Sequence, residues 1–205
     1  HAAGFEAVMT SPTHQSGSDR LAEVAARLDE ADIIVNVQGD EPLISPRTIE
    51  LAVDEIANAD EAQIVTTCEA IKEAADVLSP DVVKVLMDSG GRALYFSRSA
   101  IPYPREAVRR HATLAAALEN EPQLLKLFRK HTGLYAYRRS FLLEYAGWPQ
   151  SRLEQTEALE QLRALERGVT IKVLEAVTPS IGVDTPEDLL RVRALMENQH
   201  SSANV

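Results

Sequence analysis

One cysteine, Cys68, occurs in the 205 residues, so no disulfide can close within the chain. That fits a reducing compartment without proving it. No apolar run approaches the roughly 20 residues that a membrane-crossing helix needs, and no secretory signal pattern is present. Positive charge is in deficit: 21 Lys and Arg stand against 31 Asp and Glu, a net charge of −10. General nucleic-acid binding is therefore disfavoured. The glycine patterns of dinucleotide and P-loop sites are missing, as is the G-x-S-x-G nucleophile elbow. One Cys and five scattered His give no zinc spacing. Internal repeats and low-complexity linkers are also absent. The chain opens at His1 without a helix-start signal, which reads as entry part-way into a domain.

What is present suits one large domain with 45% apolar residues. Asp32-Ile33-Ile34-Val35 reads as a buried strand running into Asn36-Val37-Gln38-Gly39-Asp40-Glu41-Pro42. Gly39 permits a tight turn, and Pro42 forbids further pairing. Ser45-Pro46 gives an N-cap with Pro at the first helical position. In open α/β sheets ligands bind beyond the carboxyl ends of strands, and Asp40 there can ligate a hard cation such as Mg²⁺. A solvated loop carboxylate is the other reading of Asp40, and the spacing leaves both open.

Further elements follow in order. Phe5–Met9 reads as a short strand, then a polar loop, then a helix over Asp19–Leu28 with Ser18 as N-cap. Ser16, Gly17 and Ser18 would offer backbone N–H groups to a phosphate or a base edge, although most such loops only cap a helix. A helix is expected over Pro46–Ala57, a strand over Ile64–Cys68 and a short helix over Glu73–Leu78. Val82–Met87 and Ala93–Phe96 flank Ser89-Gly90-Gly91 as a hairpin, so the sheet should be mixed. Helices are expected over Glu106–Leu118, Leu124–Arg129, Phe141–Tyr145, Thr156–Arg167 and Pro186–Met196. Strands are expected over Thr132–Tyr137 and Val169–Val177. Between Arg98 and Arg139, nine Lys or Arg face three Glu. Such a segment suits an anionic small molecule or a partner subunit, or is simply a solvated face.

Three constellations could carry chemistry. Asp184, in Gly182-Val183-Asp184-Thr185-Pro186, is either a charge favourable to the helix start or a second carboxylate for a metal shared with Asp40. Glu154, Glu157 and Gln161 share one helix face, with Glu160 beside them; this is a solvated stripe or a set of acceptors for sugar hydroxyls. His131 and Tyr135 point to the same face of a strand, as a strand-end histidine and half-buried tyrosine or as a site pair.

Taken together, these segments resemble the 3-deoxy-manno-octulosonate cytidylyltransferases, the CMP-Kdo synthetases. The matching pieces are His14 to Arg20, Asn36 to Pro42, Asp81 to Val85, Ala93 to Arg98 with Ile101-Pro102-Tyr103, and His131 to Arg138. Leu153-Glu154 with Leu159 to Arg163, and Gly182 to Leu189, complete the set. They occur in the family's order over nearly the whole chain. Small departures are Ser18 where Thr is common and a variable Leu118–Lys130.

The resemblance implies a Rossmann-like α/β nucleotidyltransferase with a mixed, mostly parallel sheet. It implies one domain over 1–205 in which 92–140 contributes a lobe for sugar binding and dimerisation. It further implies a cytoplasmic, Mg²⁺-dependent homodimer. The reaction would join CMP from CTP to the anomeric oxygen of Kdo for lipopolysaccharide synthesis, with pyrophosphate released. Asp40 and Asp184 would be catalytic and hold Mg²⁺, while Ser16, Gly17, Ser18, Arg20 and Asp40 would bind nucleotide. Gln38, Arg98, Tyr103, His131, Tyr135, Glu160 and Gln161 would hold the sugar, with Arg98 gripping its carboxylate. The alternatives are a cytidylyltransferase for another acidic sugar, sialic or 8-amino Kdo-like, and a non-catalytic remnant. The family's first strand and its basic phosphate loop have no counterpart here, so a longer natural N-terminus is expected.

Overall fold

The computed structural model describes residues 4–14, 16–183 and 185–202, with side chains described to Glu197. It contains a six-stranded sheet with helices on both faces. The strands are β1 (Ile33–Asn36), β2 (Ile64–Ala70), β3 (Lys84–Met87), β4 (Ala93–Ser97), β5 (Arg129–Arg138) and β6 (Ile171–Glu175). The order is β4-β3-β5-β2-β6, with β1 also on β5. Residues 5–9 form no strand, and their side chains are exposed. No helix among the described residues is long and apolar enough to cross a membrane.

The expectation of a mostly parallel sheet is corrected. Only β2 and β6 pair in parallel among the described strands; β5 runs antiparallel to β1, β2 and β3, and β3 to β4. The cause is the position of β5. It slots between β1 and β2, so Tyr137 faces Ile34 on one side and Ile64 on the other. The expected crossover from β1 to β2 exists, but a reversed strand fills the gap it leaves. The segment 92–140 thereby gives two strands, β4 and β5, to the main sheet.

Three apolar clusters hold the layers. Helix α1 (Gly17–Ala25) and α6 (Arg139–Ala146) cover one face, where Ala22, Phe141, Leu142 and Tyr145 meet Ile34, Ile64, Phe96 and Val173. Cys68 lies in this core, and burial pushes its thiol up to about 12, which keeps it protonated. On the opposite face α2 (Pro46–Asn58) sets Ala52 and Ile56 against Val65, Leu134 and Ala136. Each fully buried large aliphatic side chain contributes roughly 1.5–3 kcal/mol. The third cluster joins α3 (Ala74–Leu78), α5 (Leu114–Asn120) and Phe128.

Three expected helices do not form as such. The stretch over Glu106–Leu118 divides into α4 (Arg105–His111) and α5, because Ala112 takes φ +68°. Leu124–Arg129 yields to a 3-10 turn over Pro122–Leu127 and the start of β5. Likewise Thr156–Arg167 becomes α7 (Arg152–Glu157) and α8 (Gln161–Glu166), hinged at Ala158 with φ +52°. The final described helix, α9 (Pro186–Ser202), begins where Thr185 and Asp188 exchange hydrogen bonds.

Candidate active site

A cleft of about 1060 Å³ opens beyond the carboxyl end of β1. Its floor is the loop after that strand. Glu41 N donates to Gln38 O at 3.1 Å, closing the turn in which Gly39 sits, and Gln38, Asp40 and Glu41 line the cleft. The loop lies directly on β5 at Gly133. A Cβ there would stand 2.8 Å from Gln38 Cγ and 3.4 Å from Glu41 Oε1. Gly133 N donates to Glu41 Oε1 at 3.2 Å, so the missing side chain is what permits this bond.

Around Gly133 the ladder between β2 and β5 slips: Thr66 faces Tyr135, but Cys68 faces His131. The bulge re-aims the strand, as bulges do beside functional sites. His131, Tyr135 and Tyr137 all line the cleft. His131 and Tyr135 have ring centroids 5.3 Å apart, and Tyr135 stacks on Tyr137 at 5.7 Å. Burial lowers the His131 pKa to about 3 and raises that of both tyrosines, so all three are neutral near pH 7.

The far wall is the α7–α8 hinge, and the expected acidic stripe does not exist as one face. The Ala158 break sends each carboxylate elsewhere. Glu154 is buried and forms a two-bond pair with Arg163 at 2.7 and 2.9 Å. Glu157 accepts from Ser97 Oγ at 2.7 Å and Arg98 N at 2.9 Å. Glu160 reaches α1, accepting from Ser18 Oγ at 2.6 Å and from the N–H groups of Gly17 and Ser18 at 3.3 Å. A carboxylate at a helix N-terminus is electrostatically favoured. It stands where the sequence suggests a ligand anion or base edge.

Several expected site residues come together and others do not. Gly17, Ser18, Gln38, Asp40, Arg98, His131, Tyr135, Glu160 and Gln161 line one cleft. Ser16 does not line it. It, rather than Ser18, caps α1, because Asp19 three residues on completes a capping box. Arg20 is also outside, exposed and bonded to Thr10 Oγ1 and Ser11 O. Tyr103 is 61% exposed and away from the cleft, in a stretch whose flanking prolines resist regular structure. Asp184, the second expected metal ligand, lies outside the described residues. Its neighbour Val183, however, donates its N–H to Asp40 O at 2.8 Å.

Arg98 lines the cleft, but its guanidinium holds backbone carbonyls: Glu157 O at 2.7 Å, Pro80 O at 3.0 Å and Ala158 O at 3.4 Å. It braces the hinge against the opposite loop. Beside it Lys84 is fully buried and donates to Ser79 O, Val82 O and Arg98 O at 2.6–2.7 Å. Burial, then the Arg98 charge, lowers its pKa.

Sequence reasoning missed Lys72, Lys130 and Arg191, which put positive charge along the cleft. Lys130 was marked only by its basic segment. Among the described residues, three buried polar atoms make no hydrogen bond: Glu41 Oε2, Gln161 Nε2 and Ser180 Oγ. All three residues line this cleft. Buried polar groups are rarely left so, and their shared location marks a site built for a polar ligand.

A mixed sheet with a loop carboxylate and a helix N-terminus meeting at the strand ends is the frame that the comparisons place among the α/β nucleotidyltransferases. A putative glucose-1-phosphate thymidylyltransferase from Bacillus anthracis shares the fold, with TM-score 0.55 and 16% identity over 90% of this chain and 62% of its own. A cytidylyltransferase family profile matches residues 1–171. The chain belongs to that family, and within it to the 3-deoxy-manno-octulosonate cytidylyltransferases. The relative of that name from Trichlorobacter lovleyi is 49% identical over 96% of this chain and 76% of its own length. The solved structure of CMP:2-keto-3-deoxy-manno-octonic acid synthetase complexed with CTP superposes with TM-score 0.82. It is 42% identical, over 97% of this chain and 75% of that one.

Proposed function

We propose that this cleft transfers CMP from CTP to the anomeric hydroxyl of Kdo, giving CMP-Kdo and pyrophosphate for lipopolysaccharide synthesis. The observation that carries the reading is the convergence of the Asp40 loop, the α1 N-terminus and the His131–Tyr135–Glu160–Gln161 group on one cleft. The sugar oxygen attacks the α-phosphorus, and the bond from that phosphorus to the oxygen bridging to the β-phosphate breaks. Pyrophosphate leaves with that oxygen, and the hydroxyl proton passes to solvent. Such transfers rest chiefly on positioning and charge neutralisation.

In this reading Gly17 and Ser18 meet the nucleotide. Gln38, His131, Tyr135, Glu160 and Gln161 orient the sugar hydroxyls, and the unpaired Gln161 amide has donors to offer. Arg98 turns the guanidinium edge held only by its 3.4 Å contact toward the sugar carboxylate. Acidic side chains outnumber basic ones along the cleft, and Glu41 Oε2 is buried without a partner beside Asp40. Those hard oxygens fit Mg²⁺. Asp40, with Asp184, would hold it, and when bound it supplies charge neutralisation at the phosphates and a lower pKa at the attacking hydroxyl. A cytoplasmic homodimer belongs to the same reading.

Pyrophosphate release from CTP tests it. Kdo, sialic acid and an 8-amino Kdo analogue are compared, with Mg²⁺ and with a chelator. Turnover is expected with Kdo and Mg²⁺ alone. Preference for another sugar would move the assignment to a sister enzyme, and no turnover with any sugar would mark a non-catalytic chain.

A further inference from the structure

Thr66 sits on β2, fully buried, beneath the cleft histidine. Its hydroxyl lies 2.7 Å from Leu134 O, inside the bulge of β5, and 2.9 Å from His131 Nε2. A hydroxyl has one hydrogen to give. A carbonyl oxygen has none, so the short contact to Leu134 must use it. The opposite assignment would leave two oxygens 2.7 Å apart with no proton between them. The proton on the contact to the ring is therefore the ring's own, on Nε2. His131 Nδ1 has no hydrogen-bond partner among the described residues, and the imidazole packs against the rings of Phe96 and Tyr135, with centroids 5.1 and 5.3 Å apart, while His131 lines the cleft.

We propose that Thr66 is a positioning residue that holds His131 as the Nε2–H tautomer, leaving Nδ1 as a neutral acceptor for a hydroxyl of the sugar. The sugar half of this rests on the function proposed above. The consequence is a polarity rule at that point of the cleft. A hydroxyl can donate to Nδ1, but a carboxylate or phosphate oxygen cannot, because the ring has no second N–H to offer it. The low pKa of the ring agrees with this, since protonation at Nδ1 would be needed to reverse the rule.

Two variants of the full chain test the proposal. Thr66→Val keeps the shape and removes the hydroxyl, whereas Thr66→Ser keeps the hydroxyl. Nitrogen-15 spectra of the histidine rings, with His131 assigned by the loss of its signals in His131→Gln, report the tautomer directly. The expected result is a protonated, exchange-protected Nε2 and a bare Nδ1 in the parent and Thr66→Ser. In Thr66→Val the protection should be lost. A protonated Nδ1 in the parent, or unchanged protection in Thr66→Val, overturns the proposal. If Thr66→Val does not fold, the parent and Thr66→Ser spectra still decide. In kinetics, Thr66→Val should raise the sugar KM about three- to tenfold, the value of one hydrogen bond, with the CTP KM unchanged and Thr66→Ser near the parent. Confirmed ring spectra with an unmoved sugar KM would keep the tautomer and overturn the placement of the sugar at His131.

Discussion

Ser18 and Glu160, 142 residues apart in the chain, share a hydrogen bond of 2.6 Å. In the function proposed above, it ties the side of the cleft that would take the nucleotide to the side that would take the sugar. The same carboxylate takes the two free N–H groups at the start of α1. A nucleotide that uses those groups must displace Glu160, and the displaced carboxylate is then free to meet a sugar hydroxyl.

Glu160→Ala separates these roles. The sugar KM should rise by roughly tenfold, the cost of one charge-assisted hydrogen bond. The CTP KM should stay level or fall, because the helix start is no longer occupied. Steady-state pyrophosphate release with each substrate varied in turn checks this. A matching rise in both constants would count against the division.

Gly133→Ala asks whether the loop–strand contact matters for catalysis. The new Cβ collides with Gln38 Cγ at 2.8 Å. Gln38 is exposed to the cleft and can move, so the fold should lose no more than about 1–2 kcal/mol, at the lower end of overpacking costs. Sugar binding should suffer more than stability, since Gln38 and Glu41 both shift. Paired urea melts and sugar KM values decide. Unchanged kinetics in a folded variant would remove Gln38 from the site.

The pair Glu154–Arg163 anchors the hinge that carries Glu160. Both side chains are 3% exposed. Arg163 also donates to Trp148 O and lies over the Tyr145 ring at 4.7 Å. Glu154→Met strands a buried guanidinium and should cost about 3–5 kcal/mol in denaturant unfolding. The double replacement Glu154→Met with Arg163→Met should recover most of that loss. A double variant as unstable as the single one would show that packing around Arg163, not its charge, holds the hinge.

The Asp40 junction was legible because its signals are local. An apolar strand, a Gly turn, and Ser-Pro opening a helix each constrain the backbone within a few residues. The α1 loop was legible for the same reason, though its cap moved from Ser18 to Ser16. The hinge at Ala158 was not legible. Its left-handed backbone is carried by an alanine, where glycine would have marked it. The helix pattern therefore ran on through it, and a false acidic face resulted. The insertion of β5 between β1 and β2 was equally hidden, since strand order is set by tertiary packing. Thr66 gave no signal at all: its meaning lies in a partner 65 residues away.

The acid limb of stability should carry the signature of His131. Its pKa falls from 6.5 to about 3 because the ring is buried against Phe96 and Tyr135. In the unfolded chain the same ring titrates near 6.5. Between the two values the unfolded state holds a proton that the folded state lacks. Stability therefore rises with pH across that window and is lost as pH falls below about 6.5. One such proton gives a slope of up to about 1.4 kcal/mol per pH unit, less to the extent that the cleft admits water. Urea midpoints at pH 7 and pH 5 measure it. His131→Gln, which cannot titrate, should flatten the difference between the two pH values. An equal loss in parent and variant would mean that the carboxylates, not His131, set the acid limb.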